Sequence, residues 1–468
     1  MTAPVRDPGS FRDPNAYVFA DGERIVRAVM PAAHEAFGDV YDSGILGELH
    51  DKGLMIGCER IENGDLDGYT GARGESAAAL YSHPRVPFLS YPYEWVFSQL
   101  KDAALAHLDL QIAALAKGFV LSDATAYNMQ FMDGKPVHID VMSVRRYKDG
   151  EHWDGYNQFC RQFVLPLLIE AWAGASFQPM YRGSLNGISF EDAMSILPKR
   201  KLFTSLGGFM HVYLHGKAVL SNTSSPDDKH KTTAPLPKAR YEAILKQLRN
   251  FVADLKSAKR PDSYWKEYAA KNSYSEPMRD VKLDFVGRWG ETFKPATFWD
   301  IGGNTGDFSM AAIGKGAGKA VILDADLDSL EGAYRLRTRK GDPVLPVMMN
   351  MNDPTPALGW RQTERKGLAE RADADGIIAL AVIHHMVIGG NLPFQEAVDW
   401  LMDLAPCGII EFVPKRDPMV KQLLAVREDI FPDYTTERFR EIISARATIV
   451  DEHEFDENGR LLVSYKTK

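Results

Sequence analysis

The sequence predicts an α/β protein, with a mostly parallel sheet in the C-terminal third and an α+β half before it. From about residue 296, short apolar runs alternate with stretches of helical pattern. The runs are TFWDIGG, KAVILDAD, PVLPVMM, DGIIALAVI and CGIIEFV. Strands inside a parallel sheet read as continuous apolar runs, because helices cover both faces of the sheet. The long connections between the runs leave room for those helices.

A second observation divides the chain into parts. Residues 221–240, SNTSSPDDKHKTTAPLPKAR, are rich in Ser, Thr, Pro and charge, which predicts a linker or an exposed loop. The division gives an N-terminal domain over 1–220, a helical connector or lid over 241–290 and a second domain over 291–468. Aromatic residues of the connector are candidate substrate contacts in a lid, with simple packing as the alternative: Tyr264, Tyr268 and Tyr274.

Composition sets bounds on the class of protein. A chain of 468 residues is expected to form two or three domains, and 45% hydrophobic and 25% charged residues are typical of a soluble globular protein. The three cysteines, Cys58, Cys160 and Cys407, are far apart and form no CxxC or Cys/His cluster. We therefore expect no disulfide framework and no bound metal, and cysteine usage fits a reducing cytoplasm.

Charge and hydropathy restrict the partners. The N-terminal residues have no apolar core of a signal peptide, and no apolar stretch approaches the length of a membrane span. The formal net charge of −8 disfavours binding to nucleic acid, which needs a basic surface. The expected partner is a small-molecule substrate, with neither membrane nor nucleic acid, and no feature fixes an oligomeric state.

The first apolar run of the second domain ends in a glycine-rich turn, Asp300-Ile301-Gly302-Gly303-Asn304-Thr305-Gly306. Glycines allow backbone to approach a ligand closely, and the helix that follows offers free N–H groups at its N-terminus. Ligands of open α/β sheets bind outside the carboxyl ends of the strands. The dinucleotide fingerprint GxGxxG does not fit, because Asn304 and Asp307 stand at its second and third glycines. A nicotinamide-dependent oxidoreductase is therefore not expected.

The second apolar run, Ala320 to Leu323, ends in Asp324, 24 residues after Asp300. An acidic residue at the end of the second strand can accept hydrogen bonds from both ribose hydroxyls of a nucleotide. Asp326 and Asp328 are alternatives for that role, and either could instead cap the next helix.

The turn resembles the first motif of class I methyltransferases, D-x-G-x-x-x-G, with Asp300, Gly302 and Gly306 matching. The resemblance implies a Rossmann-like domain with a mostly parallel seven-stranded sheet and S-adenosylmethionine (SAM) as cofactor. It implies that Asp300 and the loop backbone hold the methionine part of SAM and that Asp324 holds the ribose. The implied cofactor-binding set is Asp300, Gly302, Gly303, Asn304, Thr305, Gly306, Asp324, Ala325, Asn352, Asp353 and Ala381.

The third and fourth strands carry the other candidates of that site. Asn352 and Asp353 follow the strand Val344 to Met349, where the family places an adenine contact, although a turn before Pro354 fits equally. The strand Gly376 to Ile383 runs into His384 and His385, which are candidate catalytic residues near the methyl group. Histidine can act as a base near neutral pH. A structural role is the alternative, and a metal is disfavoured because no acidic or cysteine ligand is adjacent.

One segment of the N-terminal half also carries chemistry. Asp123 and Asn128 form a D-x-x-x-x-N pattern, and an apolar strand ending in Asp140 follows. The segment resembles the catalytic loop of aminoglycoside- and choline-kinase-like proteins, which implies Mg²⁺ and phosphotransfer roles for these residues. Leu121 stands where that family has histidine, and residues 1–95 contain no glycine-rich phosphate loop. The alternatives are a degenerate lobe that contacts substrate or a partner, and a plain hairpin with its turn at Asp133-Gly134.

The whole chain is also similar to bacterial two-part methyltransferases of the nodulation type, in the segments YPYEW, DATAYNMQF and ERKGLAERADADGIIALAVIHH. We therefore expect a SAM-dependent methyltransferase whose acceptor is a small molecule or a glycan-type metabolite held between the two halves. Two alternatives stay open: a bifunctional protein with ATP- and Mg²⁺-dependent phosphotransfer or nucleotide binding in the N-terminal half, and a protein or RNA methyltransferase.

Overall fold

A computed structural model describes residues 3–22, 24–62, 65–222, 234–258 and 276–468. The chain forms two compact units. The first comprises Met1–Arg260 together with Leu358–Arg365, and the second comprises Pro261–Ala357 and Lys366–Lys468. Within the described ranges, we find no helix that is both long enough and apolar enough to span a membrane.

The first unit begins with an antiparallel five-stranded sheet. Its strands are β1 (Val5–Arg6), β2 (Ala16–Asp21), β3 (Arg24–Val29), β4 (Glu59–Arg60) and β5 (Ala79–His83), in the order β1-β2-β3-β5-β4. Helices α1 (Pro31–Asp42) and α2 (Ile45–Asp51) connect β3 to β4. Apolar side chains of both helices pack in one core with Tyr81 of β5, whose ring contacts Phe37 edge-on at 4.9 Å between centroids.

Helix α3 (Phe97–Ala116) leads into two small antiparallel pairs. Strand β6 (Phe119–Leu121) pairs with β9 (Val144–Arg146), and β7 (Met129–Met132) pairs with β8 (Lys135–His138). The turn between β7 and β8 is Asp133-Gly134, both with positive φ, which suits a two-residue hairpin. The predicted strand up to Asp140 ends earlier, at His138. Asp140 instead begins the short helical turn Val141–Ser143, and its side chain accepts a hydrogen bond from the Met142 N–H at 3.3 Å.

Helices complete the first unit. They are α4 (Tyr156–Phe159), which continues through a π-helical stretch (Cys160–Val164) into α5 (Leu165–Ala173), then α6 (Gln178–Arg182), α7 (Phe190–Ile196), α8 (Lys199–Thr204), a second π-helical stretch (Gly208–Leu214), α9 (His215–Asn222) and α10 (Lys238–Asp254). Helix α10 starts at Lys238, in the last residues of the predicted linker, and continues through the first part of the predicted connector. It packs on α3, where Arg249 forms an ion pair with Asp109 at 2.5 Å and Gln111 donates to the Tyr241 hydroxyl at 2.8 Å. This part of the connector therefore belongs to the first unit.

The second unit holds the predicted mostly parallel sheet of seven strands. The strands are β10 (Thr297–Ile301), β11 (Lys319–Asp324), β12 (Val344–Met348), β13 (Gly376–Ala379), β14 (Cys407–Phe412), β15 (Ala447–Glu454) and β16 (Leu461–Thr467). Their order is β12-β11-β10-β13-β14-β16-β15, and β16 is antiparallel to both neighbours. The order departs from the 3-2-1-4-5-6 order of dinucleotide-binding sheets, because β16 is inserted before the edge.

Six helices accompany this sheet within the described part of the second unit. They are α11 (Glu276–Phe293), α12 (Asp307–Ile313), α13 (Leu327–Leu336), α14 (Phe394–Asp403), α15 (Pro418–Leu424) and α16 (Thr436–Arg446). Strands β10 and β13 are parallel neighbours, and the order in which successive strands are added to the sheet reverses between them. Ligands of such sheets bind outside the carboxyl ends of the strands at this switch point.

The fourth strand of this sheet is shorter than the apolar run that predicted it. Strand β13 ends at Ala379, not at Ile383, because Ala381 has a left-handed backbone with φ 54°. A π-helical turn over His385–Gly389 follows. The two histidines therefore lie at the start of a helical segment, beyond the carboxyl end of β13.

Candidate functional site

A cavity of about 390 Å³ opens at the carboxyl ends of the central strands of the second unit. Ten of the residues proposed from sequence line it: Asp300, Gly302, Gly303, Asn304, Thr305, Asp324, Ala325, Asn352, Ala381 and His385. Three others, Gly306, Asp353 and His384, are outside the lining. Tyr264, Tyr268 and Tyr274 lie outside the described residues.

The loop after β10 has a shape that side chains would block. Gly302 is left-handed with φ 70°, and a Cβ there would lie 2.6 Å from a methyl carbon of Val382. A Cβ on Gly303 would lie 2.6 Å from Cγ of Asp300. Asn304 is left-handed as well, with φ 49°. Backbone therefore forms this wall of the cavity, as the glycine-rich turn predicted.

The carboxylate of Asp324 is fixed by backbone. Its Oδ2 accepts the Asn304 N–H at 2.9 Å, and its Oδ1 accepts the Asp326 N–H at 2.9 Å. Burial raises the pKa of Asp324, while these two backbone donors act in the opposite direction. A carboxylate has about four lone-pair sites, so both oxygens keep the capacity to accept a further hydrogen bond from a ligand in the cavity.

Asp300 is buried at the base of the loop. Its Oδ2 accepts the Ser309 hydroxyl at 2.5 Å. Burial, with a smaller contribution from the charge of Asp324, raises the pKa of Asp300 to about 6. The group is therefore charged at neutral pH but close to the range in which it takes up a proton.

Asp326 also lines the cavity, but it caps α13. Its Oδ1 accepts the Asp328 N–H at 3.3 Å and its Oδ2 accepts the Ser329 hydroxyl at 2.7 Å. Asp328 does not line the cavity. Among the three acidic residues considered for a ribose, Asp324 is thus the one whose carboxylate faces the cavity without serving as a helix cap.

Two arginines brace the loop, and sequence reasoning missed both. Arg337 donates from Nε to the Thr305 carbonyl at 2.7 Å and forms an ion pair with Asp307. Arg279 of α11 contacts the other carboxylate oxygen of Asp307 at 2.8 Å, and it also lines the cavity. Neither arginine stands in a recognisable motif, so the fold alone brings them to the loop.

The two histidines, His384 and His385, differ in their exposure to the cavity. His385 lines it, whereas His384 is fully buried behind, with 4.1 Å between the ring centroids. Burial, helped by the positive charge of Arg460, lowers the pKa of His385 to about 4. Burial also holds the pKa of His384 well below its usual value. Both imidazoles are therefore neutral at pH 7.

A buried ion network stands behind this wall. The Lys282 ammonium contacts both oxygens of Glu411 at 2.6 and 2.8 Å. Arg460 contacts Glu411 at 3.2 Å and Asp417 at 2.7 Å. All four of these side chains are fully excluded from solvent. Buried charges persist only when paired in this way.

The three residues singled out in the first unit come together, but they bind protein groups. The Asn128 amide donates to both oxygens of Asp123 at 3.2 and 3.3 Å, and Arg27 pairs with Asp140 at 3.3 Å. Burial, together with the charge of Asp140, raises the pKa of Asp123 to about 7. Within the described residues, no group of three or more His, Cys, Asp or Glu side chains is placed to hold a metal ion.

Comparison with known proteins decides the family. No family model matches the chain. The nodulation protein NoeA of Rhizobium meliloti (strain 1021) is 39% identical over 465 residues, which is 99% of this chain and 96% of NoeA. The chain belongs to the NoeA family of nodulation proteins. The similarity to nodulation-type proteins that the sequence suggested is confirmed.

Solved structures resemble part of the chain. The N-methyltransferase NodS from Bradyrhizobium japonicum WM9 is 12% identical, with 41% of this chain and 98% of NodS covered and a TM-score of 0.30. The bifunctional kinase-methyltransferase WbdD is 18% identical, with 46% of this chain and 45% of WbdD covered and a TM-score of 0.29. With scores this low, neither likeness assigns a function to the chain.

Proposed function

We propose that this protein is a SAM-dependent methyltransferase that acts on a small molecule or a glycan-type acceptor. One observation carries the proposal: the Asp324 carboxylate, held by two backbone N–H groups, faces a cavity whose neighbouring wall is glycine backbone. Such a carboxylate at the end of the second strand is placed to accept both hydroxyls of a ribose.

The other lining residues suit the rest of SAM. The cavity lies in the size range of small-molecule sites. Asp300 supplies negative charge beside the loop, where the cationic methionine part would be held. The apolar side chains Met349, Met351 and Leu380 line the same cavity, and Asn352 adds an amide that can hydrogen-bond an adenine edge.

The transfer of the methyl group to the acceptor requires little from the side chains of the protein. Bound SAM supplies a methyl group already activated by the sulfonium leaving group. The protein then has to align the acceptor and exclude water. Where the acceptor must lose a proton, the neutral His385 imidazole at the cavity wall can take it.

Calorimetry with S-adenosylhomocysteine, the demethylated product of SAM, tests the donor site. We expect Asp324→Asn to weaken binding about tenfold or more, because each hydrogen bond to a charged acceptor is worth roughly 1.5–3 kcal/mol. Asp353→Asn is the matched control, since Asp353 lies outside the cavity lining. Thermal unfolding checks that both variants fold. Equal affinity of the Asp324 variant and the wild type would defeat the assignment.

A second candidate function is nucleotide binding or phosphotransfer in the first unit. The convergence of Asp123, Asn128 and Asp140 favours it, while the Arg27 and Asn128 contacts already engage the carboxylates. Calorimetry with ATP and Mg²⁺ on the wild type and on Asp140→Ala tests this candidate. Absence of binding to the wild type would remove it without affecting the donor site. Methylation of a protein or RNA is a further alternative for the acceptor.

A further inference from the structure

Residues Leu358–Arg365 form a small closed hairpin that belongs to the first unit, although the chain on either side belongs to the second. Two backbone hydrogen bonds close it, from the Leu358 N–H to the Arg365 carbonyl at 2.9 Å and in the reverse direction at 3.0 Å. Inside it, the Glu364 carboxylate accepts the Trp360 N–H at 3.1 Å. This hairpin 358–365 is thus an ordered element with its own internal bonds.

Three side chains attach the hairpin to the rest of the first unit. The Arg365 guanidinium lies over the ring of Tyr127, 4.4 Å from its centroid. Glu364 accepts two hydrogen bonds from Arg12, at 2.7 and 2.9 Å. Trp360 contacts the ring of Phe11 at 6.2 Å between centroids.

These three contacts differ in burial. The Arg12 side chain is 65% exposed and Trp360 is 50% exposed, so both contacts are open to water. The Arg365 side chain is only 21% exposed. Exposed ion pairs contribute little, whereas the attraction between a cation and an aromatic ring increases when both are desolvated. Arg365 is therefore the contact that decides whether the hairpin stays seated.

Tyr127 is one member of a tyrosine cluster, formed by Tyr91, Tyr93, Tyr127 and Tyr181. Neighbouring ring centroids in the cluster lie 5.5 to 6.5 Å apart. The hydroxyls of Tyr127 and Tyr181 are buried and have no hydrogen-bond partner among the residues that the structure describes. Burial raises the pKa of both phenols, and the charge of Arg365 opposes that effect in each.

We propose that the tyrosine cluster is a guanidinium-binding site and that Arg365 is its resident ligand, so that hairpin 358–365 is held by a reversible latch. The ring face of Tyr127 attracts a planar cation, and the nearby phenol oxygens add partial negative charge to the cluster. Arg365 lies over that ring, and its Nε, like the hydroxyls of Tyr127 and Tyr181, has no hydrogen-bond partner in the described structure.

The latch acts on the two segments that carry Asp13 and Asp123 of the first unit. Tyr127 lies in the loop between Asp123 and Asn128, and Arg12 precedes Asp13, whose charge contributes to the raised pKa of Asp123. The seated hairpin contacts both segments at once. Its release frees the segment of Asp13 from the loop of Asp123.

Hydrogen exchange measured by mass spectrometry on the full chain tests the latch. In Arg365→Ala, we expect the amides of the hairpin to exchange about tenfold faster than in the wild type, the factor that 1.4 kcal/mol represents. Arg361→Ala is the matched control, because Arg361 is exposed in the same hairpin. Unchanged exchange in the Arg365 variant, or equal acceleration in both variants, would overturn the proposal.

Rescue by a free ligand tests the site itself. Methylguanidinium at millimolar concentration should restore slow exchange in Arg365→Ala, and the effect should saturate. In the double variant Arg365→Ala/Tyr127→Leu, methylguanidinium should not restore slow exchange. Arg365→Lys serves as a second measurement that does not depend on the folding of the double variant. Wild-type protection in the lysine variant, or failure of methylguanidinium to protect the alanine variant, would show that no guanidinium site exists.

Discussion

The backbone N–H of Asn304 donates to the carboxylate of Asp324 at 2.9 Å, which joins the loop after the first strand of the second sheet to the end of the second strand. These two parts of the cavity wall are therefore directly coupled by a hydrogen bond. A change in the loop is expected to shift Asp324, and a change in Asp324 is expected to shift the loop. We therefore expect the conformation of this loop to control binding at the proposed donor site.

The variant Gly303→Ala tests whether the conformation of the loop determines ligand binding. The added Cβ would lie 2.6 Å from Cγ and 3.0 Å from the carbonyl oxygen of Asp300, and backbone cannot yield as a flexible side chain does. We expect affinity for S-adenosylhomocysteine to fall at least about tenfold, as calorimetry measures it. Gly332→Ala in α13 is the control, since its Cβ meets only an ordinary contact at 3.7 Å. Equal affinities for these two variants would contradict the role of the loop.

Much of the lining of the cavity in the second unit could be predicted from the sequence because its parts are local. A strand that ends in Asp300 and runs into glycines, and a strand that ends in Asp324, each show in a few consecutive residues. Arg279 in α11 and Arg337, which directly follows α13, reach the same loop from outside it, and no sequence pattern marks them. Hairpin 358–365 looked like part of the second domain, because sequence position does not reveal which core a segment packs on.

The raised pKa of Asp300 predicts opposite effects on stability and on binding. Below about pH 4 the carboxyl is protonated in both the folded and the unfolded chain. Between there and about pH 6 the unfolded chain ionises first, so the folded state becomes less stable as pH rises, by about 3 kcal/mol at most. We therefore expect Asp300→Asn to raise the free energy of unfolding at pH 7, measured in urea.

The same variant should bind S-adenosylhomocysteine less well at pH 7, because it lacks the negative charge beside the loop. Wild-type affinity should fall as pH drops through about 6, and the affinity of Asp300→Asn should not follow that dependence. Ser309→Ala is the companion variant. It removes the hydroxyl that hydrogen-bonds to the carboxylate and should move the midpoint of the wild-type curve upward. If Asp300→Asn were less stable than the wild type at pH 7, that result would oppose this account.

The buried network predicts a large loss of stability when one partner is removed. In Lys282→Met, Glu411 loses both contacts with the ammonium and, among the described residues, keeps its contact with Arg460 at 3.2 Å. Breaking a buried pair typically costs about 3–5 kcal/mol, because a charge stays in the interior without its full compensation. Urea unfolding measures this loss. The exposed pair of Arg288 and Asp451 is the comparison, and Arg288→Ala should change stability by less than about 1 kcal/mol. A similar small change in both variants would contradict the importance of burial.

His385 is expected to stay neutral from about pH 5 to 8, because burial and the charge of Arg460 lower its pKa to about 4. A neutral imidazole at the cavity wall can accept a proton from an acceptor, whereas an imidazolium cannot. Proton–nitrogen NMR of the 12 histidines, with His385→Gln used to assign the signal, measures the titration directly. The ring shifts of His385 should be constant over that range. His384→Gln is the companion, since His384 is fully buried and should be neutral as well. A titration midpoint near the ordinary value of about 6.5 would contradict the burial of His385 and the effect of Arg460 on its pKa.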